Sequence, residues 1–152
     1  MRRRDREVSE KEAIRIYDEA DYMTLACIAE DGTPYCVPLS SVRKGKCIYF
    51  HCAKEGKKID ALRHASRVCV NAVSHSESSQ QEFTTYYASC ILYGTCNEVT
   101  EEEEKIEALR SLAMRYNPEI MEGFEEELHK FWKVTAVYRI DIDEISGKSN
   151  MK

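Results

Sequence analysis

Residues 49–63 read YFHCAKEGKKIDALR. An aromatic, strand-like run ends near Cys52, three lysines follow around a single glycine, and a short helical pattern begins near Lys57, with Ile59 and Leu62 spaced to pack inward. A strand that hands over to a helix in this way leaves the first helical N–H groups unpaired and partly positive. Gly56 lets a ligand approach the backbone with no β-carbon in the way. Lys54, Lys57 and Lys58 add three ammonium groups to the same small volume, an arrangement that suits a phosphate. Spacing alone leaves a lysine-rich solvated turn equally open, because lysines are normally exposed. His51 also has two readings. At the end of a strand it is most often a hydrogen-bonded structural residue, whereas beside a phosphate seat it could contact a cofactor or substrate and titrate near neutral pH. Its side chain is expected to point away from those of Phe50 and Cys52.

The charge distribution favours a small anion over a large one. The net charge is −5, yet residues 43–67 hold eight Lys and Arg against two acids, a local +6. General nucleic-acid binding calls for a broad basic face, which an acidic chain lacks. With 152 residues, 43% hydrophobic and 32% charged, residues 1–152 are expected to form one globular domain. No apolar run approaches the ~20 residues of a membrane span. MRRRDREVSE has no apolar segment behind its charges, so no secretory signal is expected and the location is expected to be cytoplasmic. Seven cysteines occur without a CxxC pair, so neither a metal site nor a disulfide framework is expected. Most of these cysteines lie in apolar runs and read as small core residues. Cys52 is set apart by its position next to His51.

Around this stretch the chain reads as strands in succession with helices at the margins. Ser9 and Glu12 form a capping box opening a helix over about 10–20, with Ala13, Ile14 and Tyr17 on one face. MTLACIA (23–29), YCVPLSSV (35–42), CIYFHC (47–52), VCVNAVS (68–74), the run from Phe83 to Val99 and WKVTAVYRIDID (132–143) read as six strands. Pro38 cannot donate to a ladder, which places it at an edge, a bulge or a ligand-facing gap. Gly94 suggests a bulge or a close backbone approach. HSESSQQE (75–82) reads as a mobile polar loop. Thr100 with Glu103 predicts a second capped helix to about Tyr116, and Asn117-Pro118 a third to about Lys130. The glutamates of these two helices read as a solvated face. Consecutive hairpins without strand–helix alternation predict a mainly β fold, an antiparallel six-stranded barrel with flanking helices.

FHCAKEGKKID, together with YCVPL, YGTCNEVTEEEEKIEALRSLAMRY and ISGK in the same order, resembles the nitroimidazole-resistance branch of the pyridoxamine 5′-phosphate oxidase-like flavoproteins. The resemblance covers nearly the whole chain. It implies a split β-barrel, a homodimer with flavin sites at the subunit interface, and FMN as cofactor, with FAD as an alternative. The family's phosphate contacts map onto Lys57 and Lys58, with Lys54 and Gly56 nearby. The strand beside the flavin ring maps onto Val37, Pro38, Leu39 and Ser40. The motif histidine maps onto His51, the expected catalytic residue, with Phe50 beside it. Trp132 and Arg139 are candidates for the C-terminal residues that reach the partner subunit's cofactor. The chain lacks the arginine-rich phosphate signature of the oxidases that act on pyridoxamine phosphate. The resemblance therefore implies reduction of a small, nitro-aromatic type of substrate. The alternatives are a flavin-binding sensor without catalysis, or a phosphate seat that holds pyridoxal phosphate or a heme-like ligand.

Overall fold

Eight strands and four α-helices follow one another in a computed structural model that describes residues 2–151. The strands are β1 (Glu7–Val8), β2 (Met23–Ile28), β3 (Pro34–Leu39), β4 (Val42–Lys44), β5 (Cys47–Ala53), β6 (Arg67–Ser79), β7 (Thr84–Glu98) and β8 (Thr135–Ser149). The helices are α1 (Glu10–Glu19), α2 (Lys57–His64), α3 (Glu102–Tyr116) and α4 (Phe124–Phe131). A 3-10 turn over Pro118–Gly123 separates α3 from α4.

All strand pairs are antiparallel, in the order β3-β2-β6-β7-β8-β5-β4, with β1 added against β8. β3 and β4 stand at the two ends of this path and are not paired, so the sheet curls without closing. This open antiparallel sheet with flanking helices is the split-barrel class expected. Strict alternation builds its inside. Met23, Leu25 and Cys27 of β2 meet Val68, Val70 and Ala72 of β6, and Phe50 of β5 stacks on Tyr138 of β8 with ring centroids 5.6 Å apart. Ala13, Ile16 and Tyr17 of α1 close one side of this core. The helix starts where expected, with the Glu12 N–H donating to the Ser9 hydroxyl over 3.2 Å. A second, smaller cluster joins Tyr49 and Val137, on the other face of β5 and β8, to Ala108 of α3.

Gly94 lies where β7 shifts register against β8, and a β-carbon there would lie 2.4 Å from the Asp141 carbonyl oxygen. The close approach expected of this glycine is therefore present.

Several local expectations are corrected. The strand count rises to eight because β1 and β4 are too short to show a period. Residues 75–79 are strand, not loop: β6 runs on past Val73, where the register shifts, and pairs Ser79 with Thr84. Backbone pairing carries this polar ribbon, which has few apolar side chains to reveal it. The second strand stops at Leu39, since the chain turns at Ser40 and Ser41 before β4. The last strand begins at Thr135, after a turn over 132–134, and extends to Ser149. The capping residue of α3 is Glu101 and makes no side-chain cap bond, so Thr100 does not cap it. Pro118 opens a 3-10 turn instead of a continuous helix, and Ile120 leaves helical geometry within it. In α1, Ile16 is buried and Ile14 only partly so.

Candidate functional site

His51 and Phe50 leave β5 on opposite faces, as strand geometry requires. His51 lies on the same side as Tyr49 and opposite Val137 across the β5–β8 ladder. On that side α3, the 3-10 turn and α4 arch over the sheet and leave a cavity of about 680 Å³. His51 and Thr135 form its sheet wall and Ser40 enters from the β3–β4 link, while Leu109, Leu112 and Tyr116 of α3 face Phe124, Leu128, Phe131 and Trp132. Three sequence-predicted residues, Ser40, His51 and Trp132, are thus brought to one cavity. Trp132 is fixed by Lys105, whose Nζ sits 4.1 Å from its ring centroid and donates to the Thr135 carbonyl over 2.7 Å.

The lysine loop begins beside His51. Gly56 adopts φ +118°, in the region that favours glycine, and a β-carbon there would meet nothing within 4 Å. α2 starts without a side-chain cap, so its first N–H groups face outward unclaimed by any side chain. Among the described residues none of Lys54, Lys57 and Lys58 forms an ion pair. Lys58 lies 5.8 Å over the Phe50 ring. The two features interact. Protein packed around the His51 ring disfavours its charged form, and the nearby Lys58 charge adds to this, so its pKa falls below the ordinary value.

The Val37–Ser40 segment is anchored from beneath by residues with no signal in the sequence. β3 is an edge strand, as Pro38 suggested. Tyr35, Val37 and Leu39 pack inward on the main core, while Pro38 and Ser40 are exposed. The next residue, Ser41, is 2% exposed. Its hydroxyl shares a 2.6 Å hydrogen bond with the Tyr17 hydroxyl, and its N–H donates to Tyr116 Oη over 3.1 Å. Its carbonyl accepts from Tyr116 Oη at 3.0 Å and from Arg115 Nη1 at 3.1 Å. Arg115 also donates to the carbonyls of Asp18 and Ala20. The end of α3 thereby ties the β3–β4 link to the end of α1, across more than seventy residues of sequence.

Two expected site residues are not among those lining this cavity. The Phe50 side chain is fully buried in the main core, so only its backbone borders the His51 side. Arg139 is engaged within the chain, donating to Glu104 over 2.8 Å and pairing with Asp141 at 3.1 Å. Glu104 also accepts from the Tyr49 hydroxyl, and these two donors hold its carboxyl below the usual range.

A further surface adjoins the site. Cys36 and Pro38 of β3, Ala26 and Ile28 of β2, Cys69 and Val73 of β6, and Ile91 and Tyr93 of β7 alternate with the core positions and form a largely apolar outer face, at one end of which Arg67 lies 5.8 Å over the Tyr93 ring. Ile28, Val73, Ile91 and Tyr93 are each more than 40% exposed there, although all four are large and apolar. Among the described residues no helix is long and apolar enough to cross a membrane, and no three His, Cys, Asp or Glu side chains gather to hold a metal ion.

Solved structures with the same fold include a candidate 5-nitroimidazole antibiotic resistance protein from Bacteroides thetaiotaomicron, at 20% identity and TM-score 0.76, covering 93% of this chain and 85% of that one. An FAD-binding protein from Mesorhizobium loti matches at 24% identity and TM-score 0.67, covering 96% and 98%. An FAD and heme binding protein from Mycobacterium smegmatis matches at 23% identity and TM-score 0.75, covering 94% and 72%. No curated protein sequence matches. Residues 9–149 match the pyridoxamine 5′-phosphate oxidase family, and the chain, aligned along nearly its whole length, belongs to that family.

Proposed function

We propose that the protein is a single-domain FMN-dependent oxidoreductase of the nitroimidazole-resistance type, acting as a homodimer on a small substrate. The observation that carries this reading is the junction of the uncapped lysine-rich start of α2 with the His51-lined cavity. The donor set fits a phosphate: free helical N–H groups, an open glycine and three ammonium groups without carboxylate partners. In this reading Lys57 and Lys58 hold the phosphate, with Lys54 and Gly56 at its edge. The edge strand β3 presents backbone groups of Val37 and Leu39 to the polar rim of the flavin ring. His51 is neutral at pH 7 and offers one donor and one acceptor beside the ring. Trp132 closes the cavity, while Arg139 stays with Glu104. When bound, the flavin supplies the electron transfer itself, and the chain supplies seating, orientation and exclusion of water.

The largely apolar outer face of β3, β2, β6 and β7 supports the homodimer. Pro38 belongs to it and Ser40 borders it, so a second copy covering this face would also close the flavin site. A second copy removes large apolar side chains from water that a monomer leaves wet. Two structural neighbours are described as FAD-binding, so FMN and FAD are to be told apart directly.

An absorption spectrum of the purified protein tests the proposal, with the mass of whatever denaturation releases. A two-banded yellow spectrum that releases FMN is expected, eluting as a dimer on sizing. A colourless protein that takes up no added flavin would overturn the reading. Steady oxidation of a nicotinamide cofactor with a nitro-aromatic acceptor separates an enzyme from a flavin-binding sensor.

A further inference from the structure

The cavity beside His51 differs in character from the lysine seat next to it. Its helical side is built from aliphatic and aromatic side chains, and the charged side chains at its rim are Glu122 and Glu127. No lysine or arginine lines it. The cations of α3 and α4 lie behind its rings, each held by another partner, and the unpaired lysines beside His51 belong to the seat assigned to the cofactor's phosphate. Lys105 is held by the Thr135 carbonyl, Arg115 by three backbone carbonyls, Arg110 by Glu125, and Lys130 by Glu127. The Tyr116 hydroxyl, which could otherwise donate into the cavity, is spent on the Ser41 and Asp21 carbonyls. With the lysine seat occupied by a cofactor phosphate, a second phosphate or carboxylate placed against these rings would shed part of its water and find no free cation among the lining residues. A flat apolar ring would meet Phe124, Phe131 and Trp132, and the volume suits a small molecule.

We infer that this cavity is the substrate pocket and that it selects by charge. It takes a planar aromatic molecule that is neutral or cationic, and rejects one bearing a phosphate or carboxylate. This deepens the flavin oxidoreductase reading and rests on it for the term substrate. It also separates two roles that one phosphorylated ligand could otherwise confuse: the lysine loop reads the anion of the cofactor, and the helical cavity refuses an anion on the substrate.

Three probes with one ring and different charge test the inference: 4-nitrobenzylamine, 4-nitrobenzyl alcohol and 4-nitrobenzoate, titrated calorimetrically into the flavin-loaded protein without reductant. The benzoate should bind at least about tenfold more weakly than the amine. Replacing both rim carboxylates (Glu122→Gln with Glu127→Gln) should weaken the amine about three- to fivefold and leave the alcohol unchanged. These side chains are exposed, so the variant should fold. Trp132 is the only tryptophan, so its single indole N–H resonance reports location and should move with the amine and the alcohol. Benzoate binding as tightly as the amine, an amine affinity untouched by the double variant, or binding that leaves the Trp132 resonance still would each overturn it. Retained flavin with no charge preference would sink this inference alone. A flavin-free protein that keeps the preference would sink the oxidoreductase reading and leave the pocket's selectivity standing.

Discussion

Ser41 and Lys57 are both polar residues beside the same edge strand, and the fold treats them in opposite ways. Ser41 is buried, and its hydroxyl, N–H and carbonyl all bond within the chain. Lys57 is exposed, as is Lys54, and neither they nor Lys58 finds a carboxylate among the described residues. Internal hydrogen bonds mark a group that holds structure, because a buried polar atom without a partner is costly. Neighbouring cations without internal partners are, in the proposed reading, a place where the partner comes from outside. The contrast sorts the site into a scaffold and a seat, and it can be broken by experiment.

The largest effect should come from the seat. In the proposed seat, Lys57→Ala with Lys58→Ala would remove two charge-assisted hydrogen bonds to phosphate, each worth about 1.5–3 kcal/mol. Flavin affinity should fall at least about a hundredfold while the melting temperature of the flavin-free protein stays within a degree or two. Unchanged flavin retention, measured by equilibrium dialysis, would dissolve the distinction. Tyr116→Phe tests the scaffold. It removes the oxygen that accepts from the Ser41 N–H, and should cost about 1–3 kcal/mol in urea unfolding of the flavin-free protein. Flavin affinity should then fall only as far as the β3–β4 link loosens. A variant that lost flavin with full stability would make Tyr116 a ligand of the seat instead.

The smallest effect is a pH dependence. The His51 pKa lies below the ordinary 6.5, through burial first and Lys58 second, so the unfolded chain binds the proton more readily. The stability this residue contributes is therefore present above pH 6.5 and lost as the pH falls through the folded value. His51→Asn should flatten the loss of stability as the pH falls below 6.5. An unflattened profile from thermal melts across that range would show that the ring is not desolvated.

The local half of this division was legible in the sequence and the distant half was not. The strand–glycine–helix order of the lysine loop, the Ser9 cap, the edge position of Pro38 and the tight place of Gly94 each depend on a few neighbouring residues, whose types suffice to show them. The Ser41 node joins Tyr17, Arg115 and Tyr116 across long stretches of chain, and nothing in the spacing of a serine and a tyrosine announces a hydrogen bond. Residues 75–79 were misread for a related reason: pairing with Thr84–Ala88 is written in backbone groups, which every residue carries. The cavity wall was hidden because the Pro118 turn and Gly123 change the direction of α4, so that Phe131 and Trp132 close over His51 rather than continue one straight helix. Trp132 was identified only through the family resemblance.

The place of β8 bears on the order in which the protein is made. This strand lies between β7 and β5, and its residues Ala136 and Val137 face Cys52 and His51 across the ladder. A nascent chain can form the β2, β3, β6 and β7 portion of the sheet as soon as residue 98 has left the ribosome. The β4–β5 hairpin, made much earlier, has nothing to pair with until residues 135–149 follow. During translation His51 and Cys52 therefore lack their cross-strand partners until β8 arrives. In the proposed flavin-binding reading, the site is complete only once β8 has been made.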